Sequence, residues 1–278
     1  MIRLAVRVRR AEAELVLAEL LELAPAGVEE RDLEGGAVVE YALYGAPGEV
    51  PALPDLRAAA GDALVDVRTQ EVADDWHERW RDFHRPVDAG PLHLRAPWHP
   101  PSARPGALEV VVDPGQAFGT GAHDTTRLSL QLLAELPAGA RGGGCVDAGC
   151  GSGVLAIAAA KLGWSPVLGI DHDPEAVRPT LENAARNGVQ VEARRHDLLH
   201  DGPVPGAPLV LANLLRPLLL RVAADGFAGG PPRALIASGL LPAEGDEVAA
   251  AFAREQGLVE RRRLATGGWC ALLLQRPR

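Results

Sequence analysis

The chain opens on an alternation. Ile2, Leu4, Val6 and Val8 interleave with Arg3, Arg7 and Arg9, the period of two that predicts a strand. Ala11–Ala24 follows, a leucine-rich run of good helix formers that Pro25 and Gly27 end. Ala37–Tyr44 and Ala63–Thr69 read as further strands, with a weaker one at Val28–Leu33. The order β-α-β-β-(α)-β predicts a small ferredoxin-like α+β domain over residues 1–70. Glu71–His84 reads as a helix with Trp76, Trp80 and Phe83 on one stripe. Such a stripe more often packs a helix onto a domain than docks a substrate. Six prolines between Pro86 and Pro105 then mark extended chain, so residues 71–105 read as a linker.

From residue 108 the pattern becomes one of alternating strands and helices. Strands are expected at Val110–Val112, Cys145–Asp147, Val167–Ile170, Val189–Arg194, Leu209–Ala212 and Ala234–Ser238. Helices are expected at Thr125–Leu136, Val154–Leu162, Pro174–Asn187, Leu214–Phe227 and Pro242–Gln256. This alternation predicts a doubly wound parallel α/β sheet over residues 106–278. Leu258–Ala265 and Trp269–Gln275, joined by Gly267 and Gly268, close it as an antiparallel pair. A dinucleotide-binding Rossmann fold would continue with βα units instead.

Composition narrows the class. In 278 residues, 47% are hydrophobic and 23% charged, the proportions of a globular protein. No apolar run reaches the roughly 18 residues of a membrane helix; Leu209–Ala224 is broken by Asn213, Arg216, Pro217 and Arg221. The arginines of the first ten residues stand where a signal peptide would have its apolar region, so a cytoplasmic protein is expected. Cys145, Cys150 and Cys270 form neither a disulfide framework nor a metal-ligand spacing, and no metal is expected. The net charge is −9, and residues 1–70, with 7 basic and 13 acidic side chains, carry −6 of it. That excess argues against nucleic-acid binding there and fits a basic partner, or a solvated surface.

The sharpest local signal is Val146-Asp147-Ala148-Gly149-Cys150-Gly151-Ser152-Gly153 at a strand-to-helix junction. The glycines allow a tight turn and close approach of a ligand to backbone and helix N-terminus. Asp171 ends the next strand, where a carboxylate can accept both hydroxyls of a ribose. The motif is GxGxG rather than GxGxxG, and Asp147 precedes it. A carboxylate there would repel a pyrophosphate but suits a cationic ligand, which favours S-adenosylmethionine (AdoMet) over NAD or a purely structural turn. Asp197, after the strand at 189–194, either faces the adenine edge or caps a turn. Asn213, after the strand at 209–212, can hold an amine toward a methyl donor and can also cap the following helix. The stretch Asp113–Thr126 holds three glycines, Phe118 and several hydroxyls, and can fold over a cofactor. Asp124 or Thr125 is its natural helix cap, and His123 reads as structural.

Together, DPGxAFGTGxHxTT at residues 113–126, DxGCGSGxLAIAAxKLG at 147–163, GIDxDP at 169–174 and ANLL at 212–215 resemble the bacterial ribosomal protein L11 methyltransferase family. The likeness covers Val110–Leu215 and extends more loosely to Asp75–Trp80 and Gly268–Leu274. The glycine motif alone would mark only a class I methyltransferase. The resemblance implies a Rossmann-like class I methyltransferase sheet, with an N-terminal substrate-recognition domain and a linker before it. It implies AdoMet contacts at Thr126, Gly149, Asp171 and Asn213, to which Gly151, Asp147 and Asp197 are added from the reading above. Phe118, Thr120 and Gly121 would lie near the methyl-transfer site, with Asn213, Phe118 and Thr120 as the catalytic candidates. Asp124 departs from the family, which often has Pro or Glu there. The implied reaction is repeated N-methylation of L11, on lysine ε-amines and the N-terminal α-amine; a monomer is expected. RNA or small-molecule methylation, and an AdoMet-binding protein without turnover, remain the alternatives.

Overall fold

The computed structural model describes residues 2–13, 16–17, 20, 28–33, 37–45, 50–51, 53–71, 85–113 and 123–277. It divides into two compact units, Met1–Phe83 and His84–Arg278. Of the helix read at Glu71–His84, Glu71 instead closes a strand and the rest lies outside the described residues, as does the glycine-rich loop with Phe118, Thr120 and Gly121.

In the first unit, strands β1 (Ile2–Arg9), β2 (Glu29–Leu33), β3 (Val38–Gly45) and β4 (Leu64–Glu71) form one sheet in the order β2-β3-β1-β4. Every neighbouring pair is antiparallel. Leu4, Val6 and Val8 of β1 are buried with Val39, Tyr41 and Leu43 of β3 and with Leu56 and Ala60 of helix α1 (Leu53–Ala60). Ala13, Val16 and Leu20, helical and buried in the same core, stand in the expected first helix. On the strands, Glu40 is 4% exposed and accepts from Arg3 at 2.6 Å and Arg7 at 2.8 Å. Burial alone would raise its pKa, but the two guanidinium groups outweigh it and hold it below the usual carboxylate range.

The second unit is built on a seven-stranded sheet, ordered β10-β9-β8-β11-β12-β14-β13. These are β8 (Cys145–Ala148), β9 (Val167–Asp171), β10 (Glu192–Arg195), β11 (Leu209–Asn213), β12 (Ala234–Leu240), β13 (Val259–Thr266) and β14 (Trp269–Gln275). β8 to β12 run parallel, and β14 enters antiparallel between β12 and β13. The central strands read as continuous apolar runs because both faces are covered. Leu209 and Leu211 point into a core shared with α2 (Asp124–Glu135) and α3 (Val154–Lys161). Val210 and Ala212 point to the opposite core, shared with α5 (Arg216–Asp225) and α6 (Gly245–Gln256). Between α3 and α5 in the chain, α4 (Pro174–Arg186) is capped by Asp173, which accepts from Glu175 N at 2.8 Å.

Three details differ from the expected pattern. The proline-rich stretch read as linker carries β5 (Val87–Ala89) and β6 (Leu92–Arg95). The strand expected near residue 110 is β7 (Leu108–Val111), and it joins β5 and β6 in a separate three-stranded sheet. Here the prolines flank short strands instead of interrupting them, and Leu92, Leu94 and Val110 enter the α2–α3 core. The helix expected from Leu214 begins at Arg216, with Pro217 in its first turn, where a proline is pre-set for helix entry.

Candidate cofactor and methyl-transfer site

β8, whose neighbours β9 and β11 belong to the two halves of the winding, marks the switch point of the sheet. Open α/β sheets bind ligands there, beyond the carboxyl ends of the strands. The ends that meet at this point are Ala148–Gly149, Asp171 and Asn213.

The glycine loop turns in left-handed backbone, with φ of 74° at Gly149, 49° at Gly151 and 79° at Gly153. A Cβ on Gly153 would stand 2.9 Å from the Thr180 side chain, so α4 packs directly on the loop. Thr180 Oγ1 donates to Gly151 O at 2.9 Å, and Asn183 Nδ2 donates to Ser152 O at 3.0 Å. Asn183 Oδ1 also accepts from Asp113 N at 3.0 Å. One side chain thus ties the glycine loop to the start of the segment that leads into α2.

Gly153 occupies the N-cap of α3 and has no side chain to cap with. Asp147 does this from below: its Oδ2 accepts from Ala156 N at 2.9 Å. The residue is 1% exposed, and its Oδ1 is buried with no hydrogen-bond partner. Burial, reinforced by the charge of Asp171 and opposed by the Ala156 amide, raises its pKa to about 7. Its expected place beside a cationic ligand therefore comes with a second job as a helix cap.

Asp171 closes β9. Gly151 N donates to its Oδ2 at 3.0 Å and Asp173 N to its Oδ1 at 3.1 Å. Gly149 N and Cys150 N donate to the neighbouring Ile170 O at 2.8 and 3.0 Å. Each carboxylate oxygen keeps acceptor capacity beyond these bonds. His196 N donates to Asp171 O at 2.7 Å, which brings the chain after β10 to the same corner. His196, which the sequence did not single out, has its Nε2 buried without a partner.

Asp197 follows, and its carboxylate serves its own turn. Oδ1 accepts from Leu199 N at 2.9 Å, and Oδ2 lies 2.8 Å from His200 Nδ1. The His200 contact, then the Leu199 amide, holds its pKa below the usual value. Of the two readings open for Asp197, the turn cap is the one these contacts describe.

The first turn of α2 stands beside the ends of β11 and β12, since Thr125 O lies 3.1 Å from Ser238 Oγ. Thr126 in that turn is 1% exposed, with its Oγ1 buried and unpartnered. The cap of α2 is His123, not Asp124 or Thr125: its Nδ1 accepts from Thr125 N at 3.4 Å and lies 2.8 Å from Thr125 Oγ1. The ring meets Trp269 edge-on at 4.9 Å, and burial lowers its pKa, both in keeping with a neutral, structural imidazole. Asn213 does not cap α5, a position Leu215 fills. Its Oδ1 instead accepts from Ser238 Oγ at 2.8 Å. No spacing in the sequence pointed to Ser238, because the contact spans 25 residues.

Among the described residues no cluster of three or more His, Cys, Asp or Glu could hold a metal ion, and no helix is long and apolar enough to cross a membrane.

Comparison with known proteins agrees with this architecture. A protein from Bordetella bronchiseptica named ribosomal protein L11 methyltransferase is 37% identical, over 90% of this chain and 92% of its own. One of the same name from Geobacter metallireducens is 42% identical, over 73% of this chain and 66% of its own. The crystal structure of a ribosomal protein L11 methylase from Lactobacillus delbrueckii subsp. bulgaricus superposes with a TM-score of 0.59 at 27% identity, covering 69% of this chain and 99% of that one. The profile of the family described as ribosomal protein L11 methyltransferase (PrmA) matches residues 3–277. With a match running from β1 past β14, and relatives aligned across both units, the chain belongs to the ribosomal protein L11 methyltransferase family.

Proposed function

We propose that this chain is an AdoMet-dependent N-methyltransferase acting on the large-subunit ribosomal protein L11 in the cytoplasm. The observation that carries the reading is the match over residues 3–277. The site supports the cofactor. Asp171 offers a carboxylate for ribose hydroxyls beside a backbone that glycines leave open. The buried, unpartnered Asp147 Oδ1 suits a cation, and the unpartnered Thr126 Oγ1 suits a polar ligand atom. Asp171, Gly149, Gly151, Asp147 and Thr126 would hold AdoMet. Asp197, engaged in its own turn, is assigned only a peripheral place.

When bound, AdoMet supplies an activated methyl group on a cationic sulfonium. The protein's task is then orientation more than activation. Asn213 Oδ1, anchored by Ser238, can accept an N–H of the substrate amine and direct the nitrogen lone pair. The amine must arrive unprotonated, and a desolvated position near a positive charge lowers its pKa; no side chain is assigned as general base. Phe118 and Thr120 are proposed to border the amine on the loop between Asp113 and His123. Residues 1–70 are assigned to substrate recognition, where their charge of −6 complements a basic ribosomal protein. Repeated methylation of lysine ε-amines and of the N-terminal α-amine would require presenting L11 in several poses. The enzyme is proposed to act as a monomer.

The test is incubation of the purified protein with labelled AdoMet and isolated L11, with bulk RNA and ribosomes as parallel acceptors. Mass additions on L11 in steps of one methyl are the expected result. Label in RNA, or AdoMet binding without transfer to L11, overturns the substrate.

A further inference from the structure

We infer that Ser238 is a positioning residue for methyl transfer, fixing the amide plane of Asn213 through a buried cluster of hydroxyls. This rests on the reading of Asn213 as the residue that orients the substrate amine. β11 and β12 run parallel with Asn213 and Ser238 in register. Ser238 is fully buried, and its Oγ lies 2.8 Å from Asn213 Oδ1, 2.9 Å from Ser129 Oγ and 3.1 Å from Thr125 O. Ser129 Oγ also lies 2.9 Å from Thr125 O. One hydroxyl therefore joins β11, β12 and the first turns of α2.

Counting protons shows why that hydroxyl matters. Ser129 and Ser238 bring one proton each, and the Thr125 carbonyl brings none. Two protons cannot serve all four contacts, so donors are scarce. Asn213 Oδ1 has its hydrogen bond only when Ser238 spends its single proton on it. Ser129 can then donate to Ser238 Oγ and keep that proton aimed at the amide. The amide plane of Asn213 is thereby held by a group that is itself held from α2. An alanine at 238 removes the anchor, leaving Asn213 free to turn about its side-chain bonds, and strands Ser129 with the Thr125 carbonyl alone. The strand backbone stays as it was, as does every bond at Asp171 and the glycine loop.

The experiment compares Ser238→Ala, Ser238→Thr and Asn213→Ala for kcat, for AdoMet affinity by calorimetry and for thermal midpoint. Ser238→Ala is expected to lower kcat about tenfold while AdoMet affinity stays within about twofold. Ser238→Thr, which keeps the hydroxyl, is expected to recover most of the loss. Equal losses in turnover and AdoMet affinity, a kcat near wild type for Ser238→Ala, or failure of the threonine variant to recover turnover while it folds and binds AdoMet, overturns the role of Ser238. If the threonine variant does not fold, Ser238→Cys replaces it, with partial recovery expected and none counting against the role. Near-normal turnover of Asn213→Ala removes Asn213 from the mechanism, and the role of Ser238 with it.

Discussion

The backbone amide of Gly151 donates to Asp171 Oδ2 at 3.0 Å, so the glycine loop after β8 and the carboxylate ending β9 hold each other in place. Replacing Asp171 therefore removes the proposed ribose contact and loosens the loop at once. Asp171→Ala is expected to weaken AdoMet binding about a hundredfold, as the loss of charge-assisted hydrogen bonds implies. Asp171→Asn retains an acceptor for Gly151 and should lose less. Calorimetric titration measures both, and an alanine variant that binds within a few-fold of wild type would take Asp171 out of the site.

Asn213, which the resemblance also places among the AdoMet contacts, is given the amine in this reading because Ser238 already holds its Oδ1. Asn213→Ala should lower kcat about a hundredfold with little change in AdoMet affinity. Steady-state kinetics on L11 decides the matter. A proportional loss of cofactor binding would reassign Asn213 to the cofactor.

Asp147 gives a pH signature. Its pKa in the fold, about 7, stands above the ordinary 3.8, so the folded protein binds more protons than the unfolded chain between those values. Stability from this group is present at low pH and is lost as pH rises through about 7, by at most about 4 kcal/mol. Asp147→Asn cannot titrate. The difference in unfolding free energy between this variant and wild type should shift in the variant's favour from pH 5 to pH 8. Denaturant titrations at the two pH values test this, and a pH-independent difference would show that Asp147 keeps one charge state throughout.

Gly239 has φ of 87°, and a Cβ there would run into the Leu214 backbone. β12 shifts register against β14 at this point, between Ser238 and Leu240. Gly239→Ala should destabilise the protein by about 2–4 kcal/mol, from left-handed strain plus displaced backbone beside Asn213. A loss below about 0.5 kcal/mol in chemical denaturation would mean that the strand relaxes around the methyl group.

The parts of this structure that depend on neighbours in sequence could be read from the sequence. The turn from Asp147 to Val154 declares itself because each glycine serves a local backbone need. The apolar runs of β11 and β12 announce burial on both faces. Partners far apart in sequence left no such mark. His123 takes the cap of α2 from Asp124 with its ring held against Trp269, 146 residues away, on a strand the sequence predicts but in a contact it does not reveal. For Asn213 the sequence leaves both a helix cap and an amine-orienting role open; with Pro217 in the first turn α5 starts at Arg216, and Ser238 takes up the amide oxygen. The strands at Val87–Ala89 and Leu92–Arg95 were hidden by the prolines around them, since short strands in a three-stranded sheet carry too few residues for a clear alternation.

The antiparallel entry of β14 between β12 and β13 has a consequence for how the chain is made. Cys270, Ala271, Leu272 and Leu274 of β14 are fully buried, and this strand alone covers the flank of β12 that faces away from β11. As the chain leaves the ribosome, every parallel strand is available well before residues 269–275 appear. Until then β12, which carries Ser238, has an open edge, and β13 has no strand to pair with. The sheet is completed last beside its β13 edge, where β14 slots between two strands already made, so a nascent chain stalled before Trp269 exposes an apolar edge and lacks a firm support for the residues that would receive the substrate amine.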